Sequence, residues 1–140
     1  METNKSVKLN ESAENYLKAI LVLHNKYGYV RSADVAEWLG VTRPSVSNAV
    51  NSLRNGGFIL LDRHKMIRLT AMGREAAERV YDRHCVLTEF LISIGVAPET
   101  AEKDACKIEH DLSNESFERL KLYKNMINAE SCGRRREAAL

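Results

Sequence analysis

Long apolar runs are missing from this chain: stretches such as Ala19-Ile20-Leu21-Val22-Leu23 fall far short of the roughly 20 residues that a membrane span requires. No membrane partner is expected. The N-terminal Met1-Glu2-Thr3-Asn4-Lys5 is polar and leads into no apolar signal core, so a cytoplasmic location is expected. Proline is scarce at two residues and aromatics make up only 6%, which with abundant Leu, Ala, Glu, Arg and Lys points to a mainly α protein with few strands. Cysteine is scarce too. Cys85, Cys106 and Cys132 are odd in number and irregular in spacing, so they read as reduced thiols and not as a disulfide framework. At 140 residues the chain can bury one respectable core, or two small ones, and a large multidomain enzyme is not expected.

A strong net charge is also lacking, at only +2, but the charge is unevenly placed. Residues 1–74 hold 11 basic against 6 acidic residues, net +5, and residues 75–140 hold 10 against 13, net −3. Between Val41 and Arg74 the basic Arg43, Arg54, Arg63, Lys65, Arg68 and Arg74 face the single acid Asp62. Charge alone does not establish a nucleic-acid partner, because a basic stretch is more often a solvated face.

The periodicity supplies the context. Apolar residues at Tyr16, Leu17, Ile20, Leu21, Leu23 and Tyr27 predict a helix over 11–27 with Ser12 as N-cap and Gly28 as its end. A second helix, capped by Ser32 and buried through Val35, Ala36 and Leu39, stops at Gly40. Thr42 and Pro44 open a third, to about Asn55, buried through Val46, Ala49, Val50 and Leu53. Phe58–Leu61 and Met66–Leu69 around Asp62–Lys65 read as a β-hairpin. Thr70 caps a long fourth helix to about Ile94, with Ala76, Val80, Tyr81, Leu87, Leu91 and Ile94 inward. Pro98 starts a fifth, to about Leu112. Ser113 caps a sixth with Phe117, Leu120, Tyr123 and Ile127, and the tail after Ala129 is expected to fray.

Two short helices joined by Gly40-Val41-Thr42 and followed by a hairpin is the order of a winged helix-turn-helix, whose second helix enters the major groove of duplex DNA. Thr42, Arg43, Pro44, Ser45, Ser47, Asn48 and Asn51 would line the reading face, since short hydroxyls and amides suit base edges and phosphates and carry no repelling charge. Such residues are poor helix formers, so their concentration here suggests a use. Arg63 and Lys65, beside His64 and Arg68, would form a wing reaching phosphates or the minor groove. A second group of residues carries different chemistry. Cys106, Glu109 and His110 lie at i, i+3 and i+4 of the fifth helix, which are metal-ligand types at metal-ligand spacing. A cysteine packed as a small core residue beside a surface Glu-His pair gives the same spacing, as does a lone structural His84.

The ordering resembles the diphtheria toxin repressor and manganese transport regulator family of metal-dependent repressors. The resemblance rests on Ser12-Ala13-Glu14-Asn15-Tyr16-Leu17, Val41-Thr42-Arg43-Pro44-Ser45-Val46-Ser47, Leu69-Thr70-Ala71-Met72-Gly73, Arg83-His84 and Ala105-Cys106-Lys107-Ile108-Glu109-His110-Asp111-Leu112-Ser113. It implies a DNA-binding domain over 1–74, and a helical metal-binding and dimerisation domain over 75–140. It also implies a homodimer on a palindromic double-stranded operator. By position it places Cys106, Glu109, His110 and His84 among the metal ligands and expects one more at Asn15.

The sequence departs from the pattern at several ligand positions. Asn15 stands where iron-type members have Met and manganese-type members Asp, Lys18 where the latter have a coordinating Glu, Thr88 where a carboxylate is usual, and Glu102 where iron-type members have His. Lys18 and Cys106 lean to the iron type, so Fe²⁺ is favoured, with Mn²⁺, Co²⁺ or Zn²⁺ as alternatives, and no counterpart of the SH3-like domain of iron-type members is expected. A winged-helix regulator that senses no metal, with Cys106 as a redox thiol or core residue, is the rival reading. A metal-dependent hydrolase ranks last: the sequence offers neither a phosphate loop nor a convincing nucleophile, and no small organic substrate is expected.

Overall fold

The computed structural model describes the backbone of residues 9–139 and the side chains of residues 9–126. Its elements run α1 (Glu11–Tyr27), α2 (Ser32–Leu39), α3 (Arg43–Asn55), β1 (Ile59–Leu61), β2 (Ile67–Leu69), α4 (Ala71–Ser93), α5 (Pro98–Ile108) and α6 (Asn114–Ala139). This is the mainly α order expected. The chain divides into two compact units, one up to Tyr81 and one from Asp82, so the division falls inside α4. No helix among the described residues is long and apolar enough to cross a membrane.

In the first unit, α1 buries Leu17, Ile20 and Leu21 against Val35 of α2, Val46, Val50 and Leu53 of α3, and Ile59 and Ile67 of the hairpin. The core is closed from the sheet side as well, because the Ile67 N–H donates to the Val30 carbonyl at 2.8 Å and draws the extended link between α1 and α2 alongside β2. The strands are antiparallel, with Ile59 opposite Leu69 and Leu61 opposite Ile67. Gly73 allows the first turn of α4 to pass directly over the hairpin: a Cβ there would lie 1.8 Å from the Phe58 carbonyl oxygen. The Thr70 hydroxyl fixes the same junction, donating to the Gly57 carbonyl at 2.6 Å and accepting from the Gly73 N–H at 3.1 Å.

Several expectations require correction. The N-cap of α1 is Asn10, whose Oδ1 accepts from Ala13 N–H at 2.8 Å, and not Ser12. Arg31 precedes α2 in place of Ser32, and Asp34 reaches back to accept the Arg31 N–H at 2.9 Å. Both shifts arise because a side chain one or two residues away offers the better acceptor for an orphan N–H. The fifth helix stops at Ile108, four residues early. Tyr27, Tyr81, Ile94 and Tyr123 are exposed and not core, whereas Phe117 is buried. α6 continues through Ala139 where fraying was expected, in keeping with the high helix propensity of its Ala, Arg and Glu. Ile127 and Cys132 lie outside the described side chains.

Candidate functional site

Two groups of residues carry chemistry, one in each unit. In the first unit, Thr42 caps α3, its Oγ1 accepting the Ser45 N–H at 3.3 Å and pairing with Ser45 Oγ at 2.8 Å, with Pro44 in the first turn. Val46, Val50 and Leu53 anchor the helix inward at i, i+4 and i+7. Thr42, Arg43, Pro44, Ser45, Ser47, Asn48 and Asn51 are therefore all left exposed. The first turn holds no acid, so the positive end of the helix dipole and Arg43 reinforce each other toward an anion.

The wing is organised by Asp62. Its Oδ1 accepts from His64 N–H at 2.8 Å and Met66 N–H at 3.0 Å, and its Oδ2 pairs with Arg68 Nε at 3.2 Å. The Met66 N–H above all, with the His64 N–H and the Arg68 guanidinium, holds the Asp62 carboxyl below the usual aspartate range, despite an opposing desolvation contribution. Lys65 sits at φ 61° in the turn, and Arg63 and Lys65 project exposed from it. Sequence reasoning treated Asp62 only as a stray acid. Its position at the start of a polar turn, four residues before a strand, was the signal available.

In the second unit, the early end of α5 changes how the metal-ligand types meet. Cys106 is on the helix proper, but Glu109 is its C-cap, and His110 falls in the turn that leads to α6. That turn is gripped by Arg83 of α4, whose guanidinium donates to the carbonyls of Glu109 at 3.2 Å and Leu112 at 2.6 Å and to Asn114 Oδ1 at 3.3 Å. The same guanidinium lies 5.2 Å from the centre of the Phe117 ring. Arg83 thus satisfies carbonyls that a regular helix end leaves open, and Ser113 starts α6 by accepting the Ser116 N–H at 3.1 Å.

His84, the next residue on α4, holds the side chain of the same glutamate: its Nδ1 is 2.8 Å from Glu109 Oε2 and 3.7 Å from Cys106 Sγ. The other oxygen, Oε1, lies 3.4 Å from His110 Nε2. Glu109 is the one buried charged residue among the described residues, its side chain fully enclosed. A buried carboxylate needs positive charge beside it. One turn beyond His84, the Thr88 hydroxyl is buried with no hydrogen-bond partner.

Donor atoms of His84, Cys106 and Glu109 lie within 4.8 Å of one another. Ligand atoms about a zinc-sized ion stand roughly 3.3–3.6 Å apart, so the donor set fits a divalent ion once its widest pair closes by about 1 Å and the His84–Glu109 pair opens. His110 adjoins this trio through Glu109. Asn15 is half-buried on α1, in the other compact unit. Sequence spacing did not reveal that Arg83 and His84 grip the backbone and the side chain of one residue, because the turn at 109–112 breaks the helical register on which that reasoning relied.

Comparison with known proteins finds a family model for each part of the chain. Residues 8–66 match the model of the iron dependent repressor N-terminal DNA binding domain, and residues 70–136 that of the iron dependent repressor metal binding and dimerisation domain. Transcriptional regulator MntR of Escherichia coli O6:H1 is 33% identical over 120 residues, covering 86% of this chain and 77% of that protein. This chain belongs to the DtxR/MntR family of metal-dependent transcriptional regulators. The HTH-type transcriptional regulator MntR of Geobacillus kaustophilus is 35% identical, covering 78% of this chain and 77% of that one. The structure of the manganese regulator SloR superposes with a TM-score of 0.73 at 28% identity, covering 83% of this chain. The chain spans about half, 54%, of the SloR chain's length. The expected architecture, a winged helix-turn-helix followed by a helical metal-binding and dimerisation domain, holds.

Proposed function

We propose that this chain represses transcription as a homodimer on a palindromic operator when its donor cluster holds a divalent ion. DNA reading is assigned to residues 1–74, and metal binding and dimerisation to residues 75–140. Arg43, Ser45, Ser47, Asn48 and Asn51 would face base edges and phosphates, Thr42 and Pro44 would set the helix start, and Arg63 and Lys65 would take phosphates from the wing. The observation that carries the sensor role is the enclosed Glu109 carboxylate within 2.8 Å of His84, with the Cys106 thiol 3.7 Å from the same imidazole.

Cys106, Glu109, His84 and His110 would hold the ion, and the resemblance adds Asn15 as a further donor. A bound divalent ion supplies positive charge and directional bonds that fix these side chains together. Thiolate with imidazole and carboxylate suits Fe²⁺, Co²⁺ or Zn²⁺ better than Mn²⁺, so Fe²⁺ is the favoured effector, although availability in the cell can override affinity. The Thr88 hydroxyl would lie one turn from His84, suited to a hydrogen bond with the centre. The state with its donors assembled would also be the one that spaces the two recognition helices to match half-sites about one helical turn apart, and only such differential affinity makes the ion an effector.

Titrating operator binding with each ion in turn tests the proposal. Affinity that rises with Fe²⁺ or Co²⁺ and collapses on chelation supports it, and equal affinity with and without chelator removes the sensor role. N15A reports the Asn15 assignment separately: unchanged ion affinity withdraws that residue from the donor set. One observation favours the metal-free alternative, namely that Glu109 already pairs with both His84 and His110. Replacing Glu109 and His110 together distinguishes the two, since a regulator that senses no metal keeps its DNA response.

A further inference from the structure

Neither the candidate DNA-reading face nor the donor cluster uses a cleft of about 360 Å³ lined by Leu23, Tyr27, Tyr29, Asp34, Glu37 and Trp38. It lies between the end of α1, the link that follows, and α2, all within the first unit. The chain has only nine aromatic residues, yet three of them sit together here about half exposed, Tyr27 at 54%, Tyr29 at 51% and Trp38 at 49%. Aromatic rings left at the surface in a concave group mark a binding site more than a folding requirement.

The rings already attract cations. Lys26 Nζ lies 5.4 Å from the centre of the Tyr27 ring and 5.7 Å from that of Trp38, and the Arg31 guanidinium lies 5.8 Å from the Tyr29 ring. These distances fall within the range of about 6 Å over which the negative face of a ring draws positive charge. Asp34 and Glu37 add two carboxylates to the lining, which contains no basic residue. The volume is what remains with Lys26 in place. It lies at the small end of the roughly 300–1,000 Å³ typical of small-molecule sites.

We propose that this cleft binds a small organic cation bearing an alkylated ammonium group. Such an ion is weakly hydrated and presents methyl or methylene groups to the rings, whereas small inorganic cations keep their water and gain little from aromatic walls. The two acids exclude a nucleic-acid backbone. Asp34, Glu37 and Trp38 belong to α2, which packs against the recognition helix α3, so the ligand would act as an effector of the DNA-reading unit and not as a substrate. Lys26 is the internal competitor for two of the three rings.

Trp38 is the only tryptophan in the chain, so its fluorescence reports on this cleft alone. The full chain is titrated with tetramethylammonium chloride and, in a separate arm, with spermidine, each against sodium chloride at matched ionic strength. A saturable change in Trp38 emission in the millimolar range is expected from at least one of them, and the arm that saturates identifies quaternary ammonium or polyamine as the preferred form. K26M lowers the midpoint several-fold by removing the competitor, and Y27L or Y29L raises it about five- to tenfold. E37Q weakens binding without altering any ring, and circular dichroism checks that each variant is folded. A change that sodium chloride reproduces, that never saturates, or that persists unaltered in the Y27L/Y29L double variant overturns the proposal.

Discussion

Asp62 is the single acid between Val41 and Arg74, and it holds the turn that presents Arg63 and Lys65. Because its carboxyl is held below the usual range in the folded chain, it contributes stability that is present above the unfolded aspartate value of about 3.9 and is lost as pH falls through the folded value. Urea midpoints of the wild type and D62N should therefore differ near neutral pH and converge in acid, below about pH 4. A difference that stays constant with pH would contradict this role. Replacing Arg63 and Lys65 together by alanine should weaken binding to all duplexes alike and reduce the slope of log affinity against log salt by about two. Loss confined to one sequence would show that the wing reads bases. Gly73 makes a prediction of another kind. G73A places a methyl group against the Phe58 carbonyl, and urea denaturation should show a loss of about 2–4 kcal/mol.

The helices of the first unit were legible because each carries its own punctuation. Gly28 and Gly40 take positive φ at helix ends, Thr42 caps α3, and apolar residues recur at three and four. The end of α5 was not legible, since nothing between Ile108 and Leu112 is a helix breaker. What stops the helix is Arg83, 26 residues away from Glu109 in sequence, which accommodates the free carbonyls. A contact of that kind leaves no local signature. It follows that Arg83 positions Glu109 and His110 and that its loss is felt at the donor cluster. R83A should weaken Co²⁺ binding by roughly 10–100-fold, with altered visible absorption of the bound ion and an unchanged far-ultraviolet circular dichroism spectrum. R83K should recover only part of the affinity, because an ammonium cannot reproduce the planar fork that reaches three acceptors. Unchanged Co²⁺ affinity in R83A would reduce Arg83 to a packing residue.

Across the molecule, the order of elements and motifs such as Arg83-His84 and Cys106-Lys107-Ile108-Glu109-His110 led from sequence to family, and the family to a regulator with separate reading and sensing parts. The exposed Tyr81, Ile94 and Tyr123 show where that reasoning had less purchase: periodicity marks a face as apolar but cannot say whether it is covered by the same chain. Spacing grouped Cys106 and Glu109 with His110, whereas the close trio includes His84, which only the resemblance had placed there, and it forms through a turn and not through one continuous helical face. The account depends on the DNA-reading surface of one unit answering to the donor cluster of the other. The most direct measurement is fluorescence anisotropy of a duplex selected from a random-sequence library in the presence of Co²⁺, titrated with the full chain in Co²⁺ and again in excess chelator. The account predicts binding at least roughly tenfold tighter with the ion, a coupling in the usual allosteric range, and loss of that difference in E109Q. Identical affinities in the two conditions would contradict it.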